Sequence, residues 1–451
     1  MDILALLQCL APVLSVTTIR QLSRIIFALL AMTGRVTMLG ISRWAGDGGS
    51  YRTVQRWFYT AIPWGQVFVR FFHQHLFRSG ELYILAGDEV VVTKAGKQTF
   101  GLDRFFSSVL QRPVPSLAFF ALSLVSTAER CAFPLSLEQV IRTAAEKAAR
   151  KTKTQAEATK AASPQRQPGR PKGSQNKNRT EVTLTPELQH IQVMIRALLR
   201  LLTGWLSLSY LALDGHFGNN NALRMTRQCG LHLISKLRSD SALYCPYTGL
   251  QAKRGPHRKY GTRIDYHHFP EQYLKRVTLE KGVKTQFYQA QLLHTAFSQP
   301  LNVVVIVKTN LQTQRWAHVL LFSSDLELAW DKLMDYYSLR FQIEFNFRDA
   351  KQYWGLEDFM NVTATAVTNA ANLSLFMVNV TDRLRHAERL CLSESEFSVL
   401  DLKAYCRGYK YLTETIKMLL QKPDQNLVSQ IFCHVARLGS IHSTVAQAVP
   451  L

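Results

Sequence analysis

Apolar residues along the chain change their period several times, and each change marks an element. From Thr17 to about Phe77 they recur every three to four positions, which predicts helices. Within that region Met38–Thr60 reads as helix, turn, helix. Gly46, Asp47, Gly48 and Gly49 supply the turn, Ser50 caps the second helix, and Arg52, Gln55 and Arg56 fall on its exposed side. Any small helical bundle shows the same pattern, so DNA contact by Arg52 and Arg56 is an expectation. From Leu82 the grammar becomes that of strands, and Leu82–Lys94, Thr99–Leu110 and Ser116–Ser126 read as three consecutive antiparallel strands. Residues 144–182 hold almost no large apolar side chain and read as a basic linker. A helix over about Pro186–Leu202, a strand Leu206–Leu213, a helix Asn220–Cys229 and a strand Leu231–Lys236 follow. Such alternation favours parallel pairing in a mixed α/β sheet. From Asp240 to Trp316 the pattern turns to short strands, among them Phe287–Leu293 and Leu301–Lys308. A strand at His318–Phe322 and one long helix from about Leu326 to Tyr353 come next, and helical periodicity continues to the end.

These shifts divide the chain into an N-terminal helical DNA-binding domain (1–80), a core in two parts (81–236 and 318–380), a β-rich insertion (237–317) and a C-terminal helical region (381–451). With 451 residues, 47% of them hydrophobic, the chain can bury at least one sizeable core. Charge narrows the partners. Lysine and arginine outnumber aspartate and glutamate 54 to 32, a formal +22 that attracts polyanions, nucleic acid first. The seven cysteines form no C-x-x-C pair and suit reduced thiols of a cytoplasmic protein. Cys245, His257, His267 and His268 invite a zinc reading, but the paired ligand spacing is missing. The apolar run Ile25–Met32 is far shorter than the ~20 residues of a membrane span, so no membrane partner is expected.

Three acids carry the candidate chemistry. Asp88 interrupts an otherwise apolar strand, where a carboxylate is expensive unless something compensates it. Asp214 ends a strand, the place where open α/β sheets put their sites. Glu344 lies on the long helix, where at about 100° per residue Tyr337, Arg340, Glu344, Arg348 and Lys351 form one polar stripe, with Leu339, Ile343, Phe347 and Trp354 as a separate apolar face. Successive strand residues face opposite sides, so only one of Asp88 and Glu89 can reach a common site. Asp88 is the better choice, and Asp103 is a weaker rival.

The spacing Tyr-x2-Arg-x3-Glu-x6-Lys, met here by Tyr337, Arg340, Glu344 and Lys351, resembles the signature of one large group of DDE transposases from bacterial insertion sequences. The resemblance implies a ribonuclease-H-like mixed sheet with a β-rich insertion and helical flanks. It implies two Mg²⁺ or Mn²⁺ ions held by Asp88, Asp214 and Glu344, and double-stranded DNA as substrate, cut at transposon ends and joined to a target. Tyr337, Arg340, Arg348 and Lys351 would then lie along DNA phosphates, and Trp316 is the candidate to stack on a flipped base, although a tryptophan at a strand edge also suits the core. Pro168-Gly-Arg-Pro-Lys-Gly-Ser is similar to an AT-hook, with Arg170 and Lys172 reaching a minor groove, and equally suits a solvated loop. A homodimer on DNA and a bacterial, nucleoid-associated cytoplasmic location follow by the same analogy. An inactive DNA-binding descendant and a nuclease without strand transfer are the alternatives.

Overall fold

A computed structural model describes residues 2–107, 110–143, 146, 148, 181–252, 254–392, 397–421, 423–435 and 438–441. The linker residues Arg170 and Lys172 lie outside this set. The chain opens with helices α1 (Ile3–Leu6), α2 (Val16–Ala31), α3 (Met38–Ala45), α4 (Tyr51–Phe58) and α5 (Trp64–His75). The expected helix-turn-helix is present as α3 and α4. Ser15, Thr37 and Ser50 each accept a backbone N–H at the start of their helix, which fixes where α2, α3 and α4 begin.

Strands β1 (Tyr83–Thr93), β2 (Asp103–Ser107), β3 (Arg112–Ser126) and β4 (Ala132–Val140) follow, then α6 (Pro186–Leu202), β5 (Tyr210–Leu213), α7 (Asn220–Gln228) and β6 (His232–Leu237). β1 pairs antiparallel with β3, and β3 with β4, while β5 lies parallel to β1 and β6 parallel to β5. The order β4-β3-β1-β5-β6, with helices making the parallel crossovers, is the ribonuclease-H-like arrangement. β2 adds a short strand beside β3.

The insertion supplies β7 (Leu243–Pro246), β8 (Tyr260–Arg263), β9 (Leu274–Glu280), β10 (Val283–His294) and β11 (Leu301–Asn310), and β12 (Trp316–Ser323) returns to the core. β12 pairs antiparallel with β6, so core and insertion share one sheet of 12 strands. Helices α8 (Trp330–Leu339), α9 (Gln342–Gln352), α10 (Ala364–Leu392), α11 (Val399–Met418) and α12 (Gln425–Val435) complete the chain. The single helix expected over Leu326–Tyr353 is thus two. At the break the backbone bonds shorten to three-residue steps, Phe341 N–H to the Ser338 carbonyl and Glu344 N–H to the Phe341 carbonyl.

Distant ends of the sequence meet in the helical layer. Asn369 of α10 is buried. It accepts from Trp64 Nε1 at 2.8 Å and donates to the Phe58 and Thr60 carbonyls, each at 2.8 Å. Lys403 and Arg407 of α11 donate to the Leu29 and Ala31 carbonyls at the end of α2, where cations complement the helix dipole. Asn369→Ala strands three buried polar groups, and the expected loss is about 3 kcal/mol in urea unfolding. A loss below 1 kcal/mol would mean that water replaces the amide.

Candidate active site

Strand alternation decides which side chains meet. On β1 the residues Ile84 and Ala86 join one apolar cluster with Ala212 of β5 and Ile234 of β6, beneath Leu333, Tyr336 and Leu339 of α8. Asp88 continues the even positions of β1, and Asp214 the even positions of β5, so both acids emerge on the face that α8 covers. Ala86 pairs with Ala212 and Gly87 with Leu213, which sets Asp88 beside Asp214 one step further on. Glu89 points away. Burial raises its carboxyl most, and the charges that act on it belong chiefly to Glu187, Arg142 and His216, with adjacent Asp88 the least of them. Asp103 faces Arg142 at 3.5 Å, apart from these acids.

Close packing holds the backbone at both aspartates. A Cβ on Gly87 would come 2.9 Å from both Leu213 and Phe120, and one on Gly218, past the Asp214 turn, would come 2.1 Å from the Lys236 carbonyl. Asp214 accepts the His216 N–H on its side chain, while the Ser235 hydroxyl donates to its carbonyl at 2.7 Å. The Ser235 tie has no sequence signal, because a serine in a strand gives no hint of which backbone it will reach.

The helix break brings in the third acid. Arg340, at the break, donates to Asp88 at 2.7 Å and to Glu344 at 3.2 Å, with its own side chain only 11% exposed. Its Nε is buried without a hydrogen-bond partner. The Tyr337 ring lies 6.0 Å from the guanidinium. Burial pushes the Asp88 carboxyl up to about 6, against the pull of Arg340 and the Glu89 amide, while neighbouring Asp214 and Glu344 push with burial. Burial also raises the Tyr337 hydroxyl. Among the described residues no group of three or more His, Cys, Asp or Glu is arranged to hold a metal ion, and the Arg340 guanidinium lies between two of the three candidates. The donor chemistry nevertheless suits a hard divalent cation, since all three groups are carboxylates and their mutual repulsion at Asp88 is what such a cation relieves.

Other expected contacts fall at different distances from the acids. Lys351 donates to the Val91 carbonyl at 3.1 Å and pairs with Glu357 at 3.0 Å, tying α9 to β1. Arg348 pairs with Asp349 and lies over Phe345 in solvent. Arg52 and Arg56 are exposed on α4. Trp316 shares its side of β12 with Leu320 and Phe322, opposite Leu321, which belongs to the acids' face. There it stacks on His318 and contacts His267.

An aspartate within β1 and another at the end of β5 share one face of a ribonuclease-H-like sheet, and Arg340 links the first of them to Glu344 of α9. The sequence profile described as DDE superfamily endonuclease matches residues 9–297, and the chain belongs to that family. The matched stretch includes Asp88 and Asp214 and ends before Glu344. Among curated proteins no sequence matches. Among solved structures, the piggyBac transposase synaptic complex with hairpin DNA is similar over 93% of this chain and 76% of that chain, at 9% identity and a TM-score of 0.37. That likeness is too distant to transfer a residue or a role. Among the described residues no helix is long and apolar enough to cross a membrane.

Proposed function

We propose that this chain is a transposase of a bacterial insertion sequence, which cuts double-stranded DNA at the element's ends and joins the ends to a target. The observation that carries the reading is the meeting of Asp88, Arg340 and Glu344 on the face where Asp214 emerges, within a chain of the DDE endonuclease family. Asp88, Asp214 and Glu344 would hold two Mg²⁺ or Mn²⁺ ions. Such ions supply Lewis acidity that activates water and offsets charge at the phosphodiester.

The chain's own residues do the rest. Arg340, released from the carboxylates, offers its guanidinium fork to a phosphate beside the reacting bond, and the Tyr337 ring keeps it close to that place. Lys351 and Arg348 extend the cationic stripe along the strand, and Arg52 and Arg56 on α4 give a second, separate contact with duplex. Arg170 and Lys172 add a minor-groove contact, and Trp316 a stacking surface at the insertion. Action as a homodimer in the bacterial cytoplasm, on nucleoid DNA, belongs to the same reading.

The test is incubation of purified protein with Mg²⁺, labelled element ends and supercoiled target. Joined products support transposition. Cleavage without joining indicates a nuclease, and binding alone an inactive descendant, a reading against which the presence of all three acids argues. Acidity gives a further check. Because Asp88 is raised from 3.8 to about 6 in the metal-free chain, protons compete with the cation there, and Mn²⁺ affinity of the DNA-free protein should climb between pH 5 and 7. The raised carboxyl acts on stability in the opposite sense. Its contribution is complete below 3.8 and lost as pH rises through about 6. A Mn²⁺ affinity that is flat from pH 5 to 7 would contradict this assignment.

A further inference from the structure

The register that sets Asp88 beside Asp214 extends to one more strand. Ala212 of β5 pairs with Ile234 of β6, and both belong to the cluster beneath α8. Two residues further along each strand stand Asp214 and Lys236, so alternation puts Lys236 next to Asp214 on the acids' face. Its opposite number on β12, Leu321, also belongs to that cluster. The Asp214 turn rests directly on Lys236. A Cβ on Gly218 would meet its carbonyl oxygen, and one on Gly215 would lie 3.7 Å from its Cβ and 4.0 Å from its Cδ. The stem therefore runs over Gly215.

Lys236 differs from the other cations near the site in its pairing. Arg340 is held by two carboxylates, Lys351 by Glu357 and the Val91 carbonyl, and Lys94 by the Glu357 and Phe359 carbonyls. Lys236 has no hydrogen-bond or ion-pair partner among the described residues, although it is half-buried at the rim of an acidic centre. A lysine that only covered a loop would leave its charge no role. One beside Asp214 can bridge between that acid and a polyanion that would otherwise be repelled.

We propose that Lys236 is a positioning residue, which binds a backbone phosphate of the DNA strand entering beside Asp214 and holds that strand against the acids. The inference rests on the reading of the site as a DNA-cutting centre. It differs from the role given to Arg340 in needing no rearrangement, because its ammonium is already available.

Lys236→Met keeps the apolar stem over Gly215 and removes the charge, and Lys236→Arg restores the charge. Both full-length variants and the wild type are titrated into a fluorescein-labelled 30-base-pair duplex over a range of KCl, and assayed for Mg²⁺-dependent nicking of supercoiled plasmid. Loss of one phosphate contact lowers the slope of log affinity against log salt by about 0.9. At low salt the same loss weakens binding roughly tenfold. Lys236→Met should show both effects and nick more slowly at saturating DNA, with unchanged thermal unfolding, and Lys236→Arg should recover slope and rate. Wild-type slope and nicking in Lys236→Met would reduce the residue to loop cover and overturn the proposal, as would failure of Lys236→Arg to rescue. A wild-type chain that binds duplex without nicking it leaves the salt slope to decide on Lys236 while removing the catalytic reading. A wild-type chain that binds no duplex overturns both.

Discussion

Glu344→Gln should abolish Mg²⁺-dependent nicking of supercoiled DNA while leaving duplex binding and thermal unfolding close to those of the wild type. The side chain is 41% exposed, and its ion-pair partner is Arg340, so an amide of the same shape disturbs no core packing. What it removes is one anionic oxygen ligand. Changing a group that merely orients a metal ligand costs about 10–100-fold, and loss of the ligand itself should exceed that. Asp88→Asn should lose as much activity yet hold or gain stability at neutral pH, because burial outweighs the pull of Arg340 and a neutral amide escapes the penalty on the buried charge. A Glu344→Gln protein that nicks at the full rate would take Glu344 out of the site and leave the three-acid reading without its third member.

Arg340→Gln should tighten Mn²⁺ binding to the DNA-free protein and at the same time cripple cleavage. In the absence of DNA the guanidinium neutralises Asp88 and Glu344, the two groups a cation would need. Removing a positive charge a few ångströms from an incoming divalent ion is worth roughly tenfold or more at the effective dielectric of a partly buried site. With DNA present the same variant lacks a preorganised phosphate ligand, and cleavage should fall on the order of 10²-fold. Electron paramagnetic resonance of free Mn²⁺ measures the first effect, and a nicking assay the second. Unchanged or weaker Mn²⁺ binding in the variant would show that the arginine does not compete with the ion.

Much of the fold is legible in the sequence where the apolar pattern is strong. β1 and α6 lie within a residue of their expected bounds, because Tyr83–Thr93 and Pro186–Leu202 each bury one strongly patterned apolar set. Leu339, Ile343, Phe347 and Trp354 are all buried, but not as one helical face: Leu339 of α8 packs in one apolar cluster, Ile343 and Phe347 of α9 in the other, and Trp354 lies past the end of α9. β4 escapes a reading by period because Pro134 interrupts it, and the ladder accommodates that proline at a register shift opposite Leu122 and Ser123. Pro113 and Pro115 likewise disguise the start of β3, which reaches back to Arg112 through pairing with the short β2. The break at Arg340-Phe341 has neither glycine nor proline to announce it. It is set in three dimensions, where Arg340 is drawn to Asp88 across 252 positions of sequence. The choice between Asp88 and Glu89 follows from alternation once a single contact fixes the face. The side of β12 that Trp316 takes needed the register of β12 against β6.

An insertion hinged on flexible loops could swing toward or away from the acids. Here β12, β11 and β10 are hydrogen-bonded in succession onto β6, so the sheet behaves as a ruler rather than a tether. Strands spaced ~4.8 Å apart put the β10 backbone about 19 Å from β5, a span near the rise of six base pairs at ~3.4 Å each. If the acids cut DNA as proposed, a contact made on β10 would lie a fixed length from the cut, and lengthening the sheet by a strand would move that contact without moving the cut.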